Sequence, residues 1–369
     1  MSDRLNLNMK KALGGFTVDV KQSLPLDGIT ALFGPSGAGK SSLLKLIAGF
    51  ETPDNGHLSL RDKTWFDSAD KINVPPYKRA VGYMFQDGRL FPHMSVRQNL
   101  EFAAKRADKK IPIDQVITAF DLTDLTAHSP LTLSGGERRR AALARTVLTA
   151  PDVLLLDEPL TGLDRARKRE ILPFVESLHE DFNIPCIYVT HDIEEVSRLA
   201  DKVMVMSGGQ ISAFGDTVDI LSHLDATPLQ KDYDISSLFE GRITGRDKEF
   251  CLLQVNIRGA EISLPEINGA AIGQNIRLRI RASDVAIAAV RPKGVSIRNV
   301  IQGEISEIVA DKHAAYAVVT LQFQGQFQGQ FKSAELRSRI TRASCSDLNL
   351  QTGMSVYALI KSVSFEGHL

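Results

Sequence analysis

A chain of 369 residues exceeds one average domain, and 43% apolar with 24% charged residues is an ordinary globular composition, so two compact domains of unequal size are expected. The 44 basic residues balance the 44 acidic ones, which removes any whole-chain pull toward nucleic acid or anionic lipid; partners must be read from local sites, and no nucleic-acid partner is expected. Three scattered cysteines, Cys186, Cys251 and Cys345, suit free thiols in a reducing compartment, and apolar runs such as Val285 to Val290 are far shorter than the ~18 residues of a membrane span. The expectation is a cytosolic chain that meets a membrane only from its surface.

Up to residue 232 the sequence alternates strands with helices. Phe16, Val18 and Val20, with polar residues between them, predict a half-buried antiparallel strand. Ile29-Thr30-Ala31-Leu32-Phe33, Val153-Leu154-Leu155-Leu156 and Ile187-Tyr188-Val189 are near-continuous apolar runs, as strands of a parallel sheet covered on both faces would be. Ligands in such folds gather at the carboxyl ends of the strands, so chemistry is expected in the residues that follow each run.

After the first run comes Gly34-Pro35-Ser36-Gly37-Ala38-Gly39-Lys40-Ser41, a complete P-loop pattern leading into a helix with Leu43, Leu44 and Ile47 on one face. Glycines let the backbone wrap a phosphate with its N–H groups and a helix N-terminus. Lys40 is expected at the β- and γ-phosphates of ATP and the Ser41 hydroxyl on Mg²⁺. After the second run comes Asp157-Glu158. Asp157 is assigned to the metal and Glu158 to the general base that polarises the attacking water.

Twenty-three residues before Asp157 stands Leu133-Ser134-Gly135-Gly136-Glu137, followed by the helix-compatible stretch Arg138 to Leu148. This segment resembles the signature motif of ATP-binding-cassette ATPases. Three further elements fall in that family's order: Gln86 in Met84-Phe85-Gln86-Asp87, Thr161-Gly162-Leu163-Asp164, and His191 after the third run. The resemblance implies an α/β P-loop ATPase domain with a parallel core sheet, an antiparallel β subdomain and a helical subdomain. It makes Gln86 a sensor of metal and γ-phosphate, His191 a holder of the γ-phosphate, and Asp164 a contact across a dimer. Ser134, Gly135 and Gly136 would reach ATP held by a second copy, giving a head-to-tail homodimer. Phe16 is the candidate for the ring that stacks on adenine, a place usually held by tyrosine in the family. Residues 87–100, with Leu90-Phe91-Pro92-His93-Met94-Ser95-Val96 and Arg97, would face a membrane permease with apolar residues exposed.

Beyond a polar stretch, Asp225 to Leu238, short strands replace helices. Segment 233–291 is expected to hold a linker and a first β half, and 292–369 a second. Gly273 to Arg281 can be laid on Gly353 to Lys361, each a turn entering an alternating strand that ends in a cation, so two related halves of a small barrel-like domain are expected. The FQGQ repetition between Phe323 and Phe331 suits a strand edge or loop.

Val295-Ser296-Ile297-Arg298-Asn299-Val300 and Ile360-Lys361-Ser362-Val363-Ser364 resemble the opening and closing motifs of molybdate-binding (Mop/TOBE-type, OB-like) domains. A tetrahedral dianion needs several donors and a cation, which Ser296, Arg298, Asn299, Lys361 and Ser362 could supply. Taken whole, the chain resembles the ATP-binding subunits of molybdate importers. That resemblance implies a peripheral homodimer on the cytoplasmic face of the inner membrane, beneath permease subunits fed by a periplasmic molybdate-binding protein. Importers of sulfate, ferric iron or sugars would share the ATP site, and a soluble cassette ATPase outside transport is the alternative from another class.

Overall fold

The computed structural model describes residues 3–107, 109–223, 235–257, 259–267, 269–310, 315–323, 335–361 and 363–368. The chain divides into two compact units, Met1–Thr217 and Val218–Leu369. The boundary expected at 232 lies outside the described residues.

In the first unit, β1 (Arg4–Leu13) and β2 (Phe16–Pro25) form a hairpin, followed by β3 (Ile29–Phe33), α1 (Lys40–Ala48), β4 (Asn55–Leu60), β5 (Lys63–Asp67), β6 (Ile72–Asn73) and β7 (Val81–Met84). Then come α2 (Val96–Ala104), α3 (Ile113–Ala119), α4 (Gly135–Val147), β8 (Val153–Asp157), α5 (Arg165–Glu180), β9 (Cys186–Thr190), α6 (Ile193–Leu199), β10 (Lys202–Ser207) and β11 (Gln210–Asp216), while α7 (Thr217–His223) starts at the unit's last residue and belongs otherwise to the second unit. Strict alternation shapes the antiparallel sheet β2-β1-β4-β5-β6: Leu5, Leu7 and Met9 on β1 and Val18 and Val20 on β2 are buried, with polar residues between them turned outward.

The other sheet has the order β11-β10-β3-β9-β8-β7, parallel from β10 through β7 with β11 antiparallel at the edge. Its apolar runs are buried on both faces. Val153 and Leu155 join a core with α1 and the antiparallel sheet, while Leu154 and Leu156 join a core with α2, α4 and α5. Because the five strands run the same way, the carboxyl ends of β3, β9, β8 and β7 lie side by side in that order. This adjacency assembles the site.

The second unit contains β12 (Ser236–Asp247), β13 (Leu252–Ile257), β14 (Ala260–Pro265), β15 (Asn275–Arg281), β16 (Val285–Ala288), β17 (Asn299–Ala310), β18 (Tyr316–Gln322), β19 (Glu335–Thr341), α8 (Arg342–Asp347), β20 (Ser355–Ile360) and β21 (Ser364–His368). Its two sheets have the same plan, β14-β13-β12-β15-β21 and β19-β18-β17-β20-β16. The turn that opens each repeat is also the same: Gly273 N–H donates to Ile243 O and Gly353 N–H to Ile305 O, both at 2.8 Å. At the latter two residues β12 and β17 each carry a bulge. The expected internal repeat is thus real, with one feature the sequence did not disclose. Each half gives its last strand to the other's sheet, β16 pairing with β20 and β21 with β15. Segments 233–291 and 292–369 are therefore halves of one unit with a common apolar core, from Phe239 to Ile360. The FQGQ segment, from residue 324 on, lies outside the described residues.

Candidate active site

The P-loop is the connection from β3 to α1. Gly34 passes so close to the neighbouring strand that a Cβ there would stand 2.1 Å from Met206 O, and Gly39 caps α1 in the left-handed region at φ 100°. A Cβ on Gly39 would also meet the Phe16 ring at 2.9 Å. Phe16 therefore stands half-buried against the P-loop, beside the helix N-terminus. Lys40 is 5% exposed and its ammonium donates to Gly34 O (2.8 Å) and Pro35 O (2.9 Å) inside the loop. Burial pushes this lysine below its ordinary value, and the carboxylates of Glu158 and Asp157 oppose that shift.

One residue after Lys40, the Ser41 hydroxyl donates to Asp157 Oδ1 at 2.7 Å, and Asp157 Oδ2 accepts from the Tyr83 hydroxyl at 2.9 Å. Tyr83 was not singled out from the sequence. It lies on β7, directly beside β8, and burial followed by the Asp157 charge holds its phenol well above the usual range. Its ring packs on Phe85 (centroids 4.5 Å apart) and Phe50 (5.1 Å). The serine and aspartate form an all-oxygen pair against the P-loop, which fits Mg²⁺, an ion commonly held by one or two protein oxygens plus substrate phosphates. Among the described residues no cluster of three or more His, Cys, Asp or Glu offers another metal site.

Glu158 follows the strand end at φ 46°, a left-handed conformation that turns its carboxylate out of the line of β8 at a cost of about 1 kcal/mol or more. Oε2 accepts from the Thr161 hydroxyl at 2.9 Å, and His191 Nδ1 lies 3.4 Å from Oε1. Thr161 is held in turn from α4, where Arg139 donates to its carbonyl at 2.6 Å. Gln86 is exposed in the turn just past the end of β7, and β7 runs parallel beside β8 (Met84 next to Leu156), so both it and Glu158 follow the same end of the sheet. The P-loop, His191, Asp157, Glu158 and Gln86 are thus brought to one edge of one sheet.

The signature segment is placed elsewhere. Ser134 caps α4 in a complete capping box with Glu137, and its hydroxyl is exposed. Ser134 and Gly136 line a cleft of about 390 Å³ with Arg140, Arg167 and Phe174. Asp164 caps α5, its carboxylate accepting from Arg167 N–H at 2.9 Å.

In the 87–100 segment one expectation needs correction. Val96 and Leu100 are fully buried and Leu90 packs on the core, so the exposed face is carried by Pro92, His93 and Arg97 instead. The loop is tied down by Asn99, which is 0% exposed; its Oδ1 accepts from Phe91 N–H (2.8 Å) and its Nδ2 donates to the carbonyls of Phe91, Met94 and Ser95.

In the second unit the register that pairs Asn299 with Ile360 brings Arg298 and Lys361 to neighbouring strand ends. Both residues are exposed, and the Arg298 guanidinium lies 5.2 Å from the Phe250 ring centroid. Ser296 is exposed in the preceding loop. Asn299 is a strut: its amide makes a two-way pair with the backbone of Ser263, at 2.8 and 2.9 Å, joining β17 to β14. Ser362 lies outside the described residues.

Comparison with known proteins agrees with this geometry. Residues 18–161 match the family described as ABC transporter and residues 295–365 match the TOBE domain. A solved relative of the first unit is cbiO1 from Clostridium perfringens, part of an ABC transporter complex, with TM-score 0.53 and 25% identity over 61% of this chain and 92% of that one. Fold and site together define an ABC-type ATPase. Over 98% of its length the chain is 40% identical to the molybdenum import ATP-binding protein ModC of Vibrio parahaemolyticus, covering 96% of that protein. It is also 40% identical to the ModC of Brucella suis over 98% of this chain and 97% of that one, and 37% identical to ModC 1 of Azotobacter vinelandii over 99% of both. The chain belongs to the family of molybdenum import ATP-binding proteins.

Proposed function

We propose that this chain hydrolyses ATP to drive molybdate import through a membrane transporter, acting from the cytoplasmic face as a peripheral homodimer. No helix among the described residues is long and apolar enough to cross a membrane. The observation that carries the reading is the row of groups along one sheet edge, Lys40, His191, Asp157, Glu158 and Gln86, in a chain whose similarity to its relatives spans both units. ATP phosphates lie in the Gly34–Ser41 loop with Lys40 on the β- and γ-oxygens. Ser41 and Asp157 would hold Mg²⁺, with Gln86 as its sensor, and the ion would supply neutralisation of phosphate charge. Glu158 takes a proton from a water as its oxygen bonds to the γ-phosphorus and the bond to the β–γ bridging oxygen breaks, releasing ADP and phosphate. His191 holds the γ-phosphate. Ser134, Gly135 and Gly136 of a second copy close each site, Asp164 lies at the seam, and the exposed face of residues 87–100 meets the permease.

The test is molybdate uptake into vesicles containing the permease and this chain, with ATP inside and a molybdate-loaded binding protein outside. Uptake that requires ATP and stops with Glu158→Gln is expected. Uptake of sulfate, iron or sugar in place of molybdate would move the chain to a sibling importer, and failure to co-purify with any permease would argue for a non-transport ATPase.

For the second unit we propose an oxyanion site built around Arg298 and Lys361 with Ser296, Asn299 serving to fix its strand. Calorimetry on the full chain with molybdate, tungstate and sulfate tests it. Removing one cation should weaken molybdate binding by roughly 1.5–3 kcal/mol, about 10- to 100-fold. No heat with molybdate would leave the unit as a dimerisation or regulatory module.

A further inference from the structure

Behind His191 lies an ionic cluster around a buried carboxylate that the hydrolytic step does not use. Glu195, on α6, is 4% exposed, and its Oε2 accepts from the hydroxyls of Tyr188 (2.8 Å) and Thr190 (2.7 Å). Its Oε1 is 2.7 Å from the Lys168 ammonium, which also donates to Asp192 Oδ2 at 2.6 Å. Burial pushes Lys168 down, but its hydrogen bonds to Asp192 and Glu195 more than offset this and hold it above its ordinary value. Taking the Glu195 charge out of water costs several kcal/mol, offset in part by the half-buried Lys168, and an apolar side chain of the same volume would fill the space at no such cost. What the cluster supplies is direction.

That direction falls on the turn carrying His191. Thr190 and Asp192 flank the histidine on either side, and both are members of the cluster. Asp192 N–H donates to Thr190 Oγ1 at 3.0 Å, and Asp192 Oδ1 accepts from Glu194 N–H at 2.9 Å, so the turn is pinned before and after the imidazole. Lys168 enters from another element. It lies one turn into α5, its N–H bonded to the carbonyl of the capping residue Asp164 at 3.0 Å. A single ammonium therefore connects the helix capped by Asp164 with the turn that presents His191 to Glu158.

We infer that Lys168 is a positioning residue for His191, fixing the imidazole at the γ-phosphate through Asp192 and Glu195 and tying its placement to the start of α5. The inference rests on the role proposed above for His191. The Lys168 ammonium bonds to Asp192 and Glu195 and to neither the P-loop nor Glu158, so its effect on hydrolysis travels through the histidine turn.

The experiment is a double-variant cycle on the full chain, comparing wild type, Lys168→Gln, His191→Ala and the two together by steady-state ATP hydrolysis. A histidine displaced by ~1 Å would lower kcat roughly 10- to 100-fold while KM for ATP stays within about twofold. In the His191→Ala background the same change should lower the residual kcat by less than about threefold, because the group it positions is gone. Losses that multiply in the double variant would overturn the inference and make Lys168 a structural residue only. Lys168→Gln strands the buried carboxylate of Glu195, so Lys168→Gln with Glu195→Gln is measured beside it, with the thermal midpoint of each. The paired variant should unfold near the wild-type midpoint and still lose kcat; a wild-type kcat there would also overturn the inference. Unchanged activity in His191→Ala alone would remove the role of His191 itself, a failure distinguishable from additive losses.

Discussion

Asn99 is the most exacting place to test how the 87–100 loop is built. Its side chain is fully buried, takes one loop N–H and supplies hydrogen to three carbonyls. Asn99→Ala removes all four bonds. The Phe91 N–H loses its acceptor at a cost of about 1–3 kcal/mol, while the carbonyls are near enough to the surface for water to replace part of their loss, giving a total of roughly 2–4 kcal/mol. Asn99→Asp keeps the acceptor for Phe91 but turns a carboxylate oxygen toward three carbonyls, so it should cost at least as much as alanine despite its matching shape. Hydrogen exchange at the Phe91 amide reads the loop directly, and a loss of 2.8 kcal/mol would lower its protection about 100-fold. If the loop docks the permease, ATP hydrolysis by the isolated chain should persist while molybdate uptake falls. Protection changed by less than about threefold in Asn99→Ala, or an Asp variant indistinguishable from wild type, would refute the account of how this loop is held.

Thr161→Val removes the hydroxyl that holds Glu158 Oε2; kcat should drop roughly 10-fold with KM for ATP little changed, and Thr161→Ser should restore it, as steady-state kinetics will show. The capping box at the signature segment is pH-dependent: bonds from the Ser134 N–H and hydroxyl hold Glu137 below its ordinary 4.5. With the folded value depressed, its stabilisation is complete above the ordinary value and lost as pH falls through the folded one. Glu137→Gln should therefore differ from wild type by up to about 1 kcal/mol in denaturant unfolding at pH 7, a gap that closes in acid. Mixing inactive Lys40→Ala with inactive Ser134→Arg subunits should recover partial hydrolysis, because one class of mixed dimer carries both lesions in the same site. No recovery from proven mixed dimers would count against sites shared between copies.

The P-loop, Asp157, Glu158 and His191 were legible because each follows an apolar run long enough to mark a buried parallel strand, and parallel strands deliver their ends to one edge. The order of those ends was not legible. Nothing in the sequence says that β9 lies between β3 and β8, yet this interleaving is what puts His191 within reach of Glu158. Tyr83 was missed for the same reason: a tyrosine in an apolar strand reads as core until β7 is known to lie beside β8. Asn99, Lys168 and Glu195 sit inside helices, where polar residues ordinarily mark the solvated face.

The exchanged strands of the second unit show a different limit. β16 lies in a continuous apolar run and β21 is a short segment at the end of the second half, and neither sequence says whether the strand folds back on its own half or crosses to the other. Hydrophobic pattern cannot separate these outcomes, because it is satisfied by either sheet. The exchange has a consequence for any ligand site at Arg298 and Lys361. Lys361 follows β20, which is flanked by β17 from its own half and β16 from the other, and its N–H is bonded to the carbonyl of Asp284, which precedes β16. The cation nominated from the closing motif is therefore fixed by the first half of the repeat as well as the second. A fragment beginning after β16 would lack that support, so binding must be measured on the full chain.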